Sequence, residues 1–191
     1  MALILLGTPL SPFVRKVRAV LHEKGLAYEL EPVSPFEPPA HWRTLSPLGR
    51  VPVLRDTEQG TAGAAGTLAD SSAICAYLAA LRPEPPLLPA APFDRARALW
   101  LEEYADTELA ARIGFGIWRT VVVGPLGGQD PDEETARATV RDKLPRAFAY
   151  LESVLTSPAA LVGDRIGLAD LAVAAQLAGF RHSRCAGRRL R

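Results

Sequence analysis

Cysteine, histidine and methionine are scarce in this chain of 191 residues, which holds 2 Cys, 3 His and 1 Met. Cys75 and Cys185 are too few and too far apart for a disulfide framework or a zinc-ligand set, which points to a reducing compartment. His22, His41 and His182 are widely spaced and none sits beside a candidate nucleophile, so neither a metal centre nor a histidine-based triad is expected. A long hydrophobic run is also missing. The apolar start Met1 to Leu6 has no basic residue before it and breaks at Gly7, too short for a signal peptide or a membrane span, and the expectation is a cytoplasmic protein without a membrane partner. Charge of one sign is absent in sum: 22 Lys+Arg against 21 Asp+Glu leave a net of +1, which argues against a general nucleic-acid binder. With 48% hydrophobic and 23% charged residues the chain is no disordered polymer, and its length suits one or two small domains.

The near-neutral sum conceals an asymmetry. Residues 181–191 contain five Arg and no acid, leaving 17 basic and 21 acidic groups in residues 1–180, a net of −4. Such a tail reads as a solvated, poorly ordered terminus, with binding of an acidic partner as the other reading.

Leu3 to Leu6 reads as a short buried strand ended by the breaker Gly7-Thr8-Pro9. A helix follows, with Ser11 as cap, Pro12 at its first position, an apolar face of Phe13, Val14, Val17, Val20 and Leu21, and Gly25 as its stop. Residues 27–33 alternate as a half-buried strand. A Pro-rich loop then leads through Trp42 to a third strand over 51–55, in which Pro52 implies an edge or a specially bent position. After a long connection over 56–66, Thr67-Leu68-Ala69 returns as a brief strand, and Asp70-Ser71-Ser72 opens a helix with Ile74, Tyr77, Leu78 and Leu81 inward. Cys75 lies one place from that face and reads as a small core residue. The order β-α-β then β-β-α implies a small mixed sheet with helices on it.

Residues 82–92 hold five of the 17 prolines and read as a linker. Beyond it the pattern is helical: a long helix capped by Asp94, another over 131–155 kinked or restarted at Pro145, and a third over 168–180. The aromatic stripe Trp100, Tyr104, Phe115 and Trp118 reads as mostly core and interface. The domains are therefore 1–82, α/β and thioredoxin-like; 83–92, linker; and 93–191, all-α.

A thioredoxin-like redox domain needs Cys-x-x-Cys at the start of its first helix, and here that position reads Ser11-Pro12-Phe13-Val14, which excludes dithiol exchange. A hydroxyl at a helix N-terminus can instead donate to an anion, helped by the dipole and by Arg15 and Lys16.

Three ordered segments carry a family resemblance: Gly7-Thr8-Pro9-Leu10-Ser11-Pro12-Phe13-Val14-Arg15-Lys16-Val17, Leu45-Ser46-Pro47-Leu48-Gly49-Arg50-Val51-Pro52-Val53-Leu54 and Leu68-Ala69-Asp70-Ser71-Ser72-Ala73-Ile74. Together they resemble the glutathione-site motifs of a cytosolic glutathione S-transferase of bacterial type with a serine at the catalytic position. Residues 100–107 and 162–171 are similar to helical segments of the same family, so the resemblance covers about residues 3–182. It implies the two-domain transferase fold, glutathione as co-substrate, no metal, a small hydrophobic electrophile and a homodimer used in detoxification.

Carried over by position, Ser11 is the catalytic hydroxyl that stabilises the glutathione thiolate. Val51 and Pro52 are the backbone clamp with a cis bond. Asp70 and Ser71 receive the γ-glutamyl end, and a capped helix start is compatible with that role. Arg50 occupies a slot from which some classes contact glutathione, or it is a loop charge. Asp106 matches an acid that in some classes reaches the partner subunit's glutathione, or it is a surface charge. Leu10, Phe13, Phe115 and Trp118 could wall the electrophile pocket. Asp170 matches the family's acid at a helix start, with Gly167 in place of Ser or Thr. There are two departures. The loop before Trp42 lacks a basic residue that some classes use for the glycyl carboxylate, and the Arg-rich stretch stands where further helices are expected. They motivate the alternative of a non-catalytic dimerisation or interaction module with this fold, while isomerase or peroxidase chemistry at the same site is a variant of the leading reading.

Overall fold

A computed structural model describes residues 2–34, 36–155 and 157–187, with side chains followed to Ser183. The chain divides into two compact units, Met1–Leu87 and Leu88–Arg191.

The first unit is built on a four-stranded sheet ordered β2-β1-β3-β4, with β1 Leu3–Gly7, β2 Tyr28–Pro32, β3 Val53–Asp56 and β4 Thr67–Leu68. β1 pairs parallel with β2 and antiparallel with β3, so the only connection that needs a helical crossover is the one over α1, Pro12–Glu23. Leu3, Leu5 and Leu6 are all buried, as a strand covered on both faces requires. A short α2, Trp42–Leu45, buries the Trp42 ring before β3. β3 lies between β1 and β4, so Pro52 is not on an edge. It precedes the strand in a cis Val51–Pro52 peptide, where its missing N–H costs the ladder nothing.

α3, Ser71–Leu81, packs beside α1. Its inward residues are Ser71, Ile74, Cys75 and Leu78. Leu81 is exposed, and Tyr77 is half-buried because its hydroxyl donates a short hydrogen bond to Asp56 at the end of β3. That bond and burial push the Tyr77 hydroxyl up to about 12. Two lysines are buried: Lys16 on α1, and Lys24, whose Nζ donates to the carbonyls of Pro83 (3.0 Å) and Pro85 (2.5 Å).

The second unit is helical. α4, Pro92–Leu126, starts as a regular helix over Pro92–Tyr104 and opens to i→i+5 bonding over Ala105–Val123. Its N-cap is Ala91, with no side-chain cap bond, and Asp94 lies in the first turn, where its charge complements the dipole. The buried residues Leu101, Ala105, Leu109, Ile113, Ile117 and Val121 recur every four positions. In an ordinary α-helix such a stripe drifts about 40° per step, and wider turns keep it aimed at the core. The helix is long and apolar enough to cross a membrane, yet this stripe belongs to the unit's own core. α5, Glu133–Ala138, continues through a second wide-turn segment, Thr139–Lys143, into α6, Leu144–Val154, with Pro145 in its first turn. Gly116 of α4 lies against Thr139, where an added Cβ would come within 2.9 Å of that side chain.

α7, Leu168–Gly187, packs on α4 and corrects the expectation of an irregular basic tail. Residues 181–187 prolong the helix, Ser183 is buried with its hydroxyl on Gly179 O, and the His182 ring meets Trp118 edge-on at 6.1 Å. The rest of the basic tail and the Cys185 side chain lie outside the described residues. Asp170 anchors the start of α7. One carboxylate oxygen accepts from Gly167 N and the other from Leu161 N, both at 2.8 Å. The aromatic stripe is only partly core: Trp118 is buried and Tyr104 half-buried, but Trp100 and Phe115 are 54% and 60% exposed.

Candidate active site

The site is assembled in the first unit, where β1 ends. Gly7 terminates the strand at φ +155°, and a Cβ there would sit 2.7 Å from Val14 Cγ2, 3.4 Å from Val51 Cβ and 3.7 Å from Pro52 Cα. The missing side chain thus lets the first turn of α1 and the cis peptide close on the end of the sheet. The intervening turn is held by Ser11 N donating to Thr8 O at 3.0 Å and by Arg15 Nη1 donating to the carbonyls of Pro9 (3.3 Å) and Leu10 (2.8 Å). Arg15 is therefore a brace for the loop that delivers Ser11, and its burial lowers its pKa.

Ser11 caps α1 with extended backbone, and its Oγ accepts from Val14 N at 3.4 Å. That bond consumes a lone pair and leaves the hydroxyl proton to be donated elsewhere, beside the positive end of the helix. Opposite it, the loop before Val51 is set by Ser46: its Oγ accepts from Arg50 N (3.0 Å) and donates to Arg50 O (2.8 Å). Arg50 itself is exposed, whereas Val51 and Pro52 are buried.

Asp70 caps α3, its Oδ1 accepting from Ser72 N and Ala73 N, both at 3.0 Å. Ser71 is buried just behind that cap. Lys16, one turn into α1, donates from Nζ to Ser72 Oγ at 3.3 Å and so ties the first turns of α1 and α3 together. Ser11, Val51, Pro52, Asp70 and Ser71 therefore share a connected framework through Gly7 and Lys16. The burial of Lys16 has no signal in the sequence, where a lysine in the first turn of an amphipathic helix reads as a surface charge.

Of the apolar candidates, Leu10 is 47% exposed and Phe13 half-buried in this unit. In the helical unit Phe115 points outward, while Trp118 is 8% exposed against His182, so the two do not share one face. Asp106 is half-buried on the wide-turn part of α4. Among the described residues no cluster of three or more His, Cys, Asp or Glu could hold a metal ion.

A thioredoxin-like sheet unit with a serine where redox members carry a thiol, followed by an all-helical unit, defines the class. Residues 5–86 match the family model of the glutathione S-transferase N-terminal domain and residues 119–184 that of the C-terminal domain. The chain is 32% identical over 170 residues to FtsZ-localized protein A of Caulobacter vibrioides, covering 88% of this chain and 73% of that protein. It is 31% identical over 170 residues to maleylacetoacetate isomerase of Pseudomonas aeruginosa, covering 85% and 74%. A crystal structure of a glutathione S-transferase from Rhodospirillum rubrum superposes with a TM-score of 0.83 at 28% identity, over 95% of this chain and 79% of that one. The chain belongs to the glutathione S-transferase family, whose fold it shares and whose members use glutathione as co-substrate.

Proposed function

We propose that this protein conjugates the glutathione thiolate to a small hydrophobic electrophile. The observation that carries the reading is Ser11. Its oxygen is committed to the Val14 N–H, its proton is available to a ligand, and it stands at the start of α1, whose first turn and the cis Val51–Pro52 peptide both close on Gly7. A free thiol with a pKa near 8.5 is only a few per cent ionised at neutral pH, and a hydrogen bond with a helix dipole at the sulfur lowers that value. In this reading Val51 offers its backbone to the cysteinyl part, Asp70 and Ser71 hold the γ-glutamyl end, and the Arg50 guanidinium adds charge. Leu10 and Phe13 supply apolar contact for the electrophile from the first unit. Asp106 reaches a partner subunit's ligand in a cytoplasmic homodimer, a state that light scattering tests.

Replacing Ser11 by Ala removes one hydrogen bond to an anion, worth about 1.5–3 kcal/mol, so kcat/KM with a generic aromatic halide is expected to fall roughly 10- to 150-fold. Unchanged turnover would overturn the role of Ser11. Glutathione-dependent isomerisation at the same site is supported by the similarity to maleylacetoacetate isomerase. A second reading, a non-catalytic interaction module, is favoured by the similarity to a protein named for its localization to FtsZ. Calorimetry with glutathione separates it: no heat of binding at millimolar concentration supports the module.

A further inference from the structure

The first unit holds a concavity that the transferase reading does not use. A cavity of about 720 Å³ lies between the outer face of α1 and the segment leading into β2, lined by Arg15, Arg18 and His22 on one side and Leu26 and Tyr28 on the other. Arg15, Arg18 and His22 follow one another at steps of three and four, so one face of α1 carries all three, beside the buried Leu21, which also lines the cavity. None of the lining residues bears a carboxylate.

The chemistry of this wall is specific. Arg18 Nε donates to Tyr28 Oη at 2.8 Å. That bond orients the guanidinium, and no other hydrogen bond or ion pair of Arg18 is found among the described residues. Its two terminal nitrogens thus form a planar fork suited to two oxygens of one anion. The Tyr28 hydroxyl, having accepted from Arg18, keeps its proton as a further donor lining the same cavity. Arg15 supplies charge more than donors, since its Nη1 already serves the Pro9 and Leu10 carbonyls. Two guanidinium groups, an imidazole and a phenol lining one cavity match a dianion. The apolar remainder and a volume in the range of small-molecule pockets match an organic body attached to it.

We propose that this cavity is a binding site for a small organic phosphate monoester, with Arg18 as the principal phosphate ligand and Tyr28 and His22 flanking it. The site lies on the solvent-facing side of α1, away from the buried face that packs toward α3, so occupancy does not require glutathione.

The test is an amide NMR titration of the full chain with phenyl phosphate, with inorganic phosphate and phenol as separate arms. Saturable shifts at the Ala19, Gly25 and Ala27 amides are expected with phenyl phosphate at or below about 1 mM, roughly tenfold weaker binding with inorganic phosphate, and none with phenol. Arg18→Gln is expected to weaken phenyl phosphate at least about tenfold, and Ala19→Leu, which fills the cavity and keeps the guanidinium, to do the same. Native amide dispersion in both variants shows that the fold is kept. No saturable shift at these amides up to about 10 mM, equal affinity for inorganic phosphate, or affinity unchanged in both variants would each overturn the proposal.

Discussion

Asp170 is the side chain on which the helical unit's last turn of loop and its final helix are jointly fastened, and Asp170→Ala measures what that fastening contributes. Both of its oxygens accept backbone N–H groups at 2.8 Å, one from Gly167 at the helix start and one from Leu161 nine residues back. A hydrogen bond to a charged acceptor contributes about 1.5–3 kcal/mol, and two that share one carboxylate are less than additive, so a loss of roughly 3–4 kcal/mol is expected. At about 2–4 °C per kcal/mol for a chain of this size, the melting midpoint should fall by roughly 6–16 °C. Asp170→Asn retains one acceptor oxygen and should lose about half as much. Tryptophan fluorescence during urea and thermal unfolding follows the event, because Trp100 and Trp118 both belong to this unit. A cost for Asp170→Ala below about 1 kcal/mol, or an Asn variant as stable as the parent, would refute the reasoning.

Two further outcomes are expected. Gly7→Ala forces a methyl to within 2.7 Å of Val14 and should destabilise the first unit by about 2 kcal/mol or more; it should also depress glutathione turnover through displacement of Ser11 and Val51, seen as paired losses in urea midpoint and kcat/KM. Tyr77, pushed up to about 12 from an ordinary 10.0 by its bond to Asp56, contributes stability that is complete below pH 10 and lost as the pH rises toward 12. Tyr77→Phe should flatten that alkaline decline, and ultraviolet titration of tyrosinate should lose its latest-ionising component.

Much of the first unit is legible in the sequence because its signals are local. Ser11 before Pro12, Asp70 before a run of small helix formers, and Gly25 after Lys24 each act within one turn, and they mark the helix ends found. Pro52 by itself leaves an edge and a specially bent position open, and the family resemblance implies the cis Val51–Pro52 bond that is found. Whether proline sits on an edge or enters a strand through a cis bond depends on which strands flank it. Tyr77 meeting Asp56, and Lys24 meeting the Pro83 and Pro85 carbonyls, are pairings across 21 and about 60 positions that no periodicity reports. In the helical unit apolar residues from Leu101 to Val121 recur at a strict four, longer than the α-helical period, which accompanies the i→i+5 bonding over Ala105–Val123. α7 is only partly legible because its inward positions beyond Val173 include Gln176 and Ser183, polar residues that carry no apolar period. Asp94 reads as a cap, while the chain enters α4 one turn earlier through Ala91 and Pro92.

The Ser46 hydroxyl closes a small ring on the main chain of Arg50, occupying its N–H and bonding its carbonyl. The loop is therefore shaped by a residue four positions upstream, and the side chain at 50 is free of any part in shaping it. Position 50 behaves as a socket on a fixed frame: whatever stands there is presented at the same place beside Val51 and Pro52, and only its head group changes. Ligand preference can drift at that position without disturbing the turn, whereas a change at position 46 would move the turn and everything it carries.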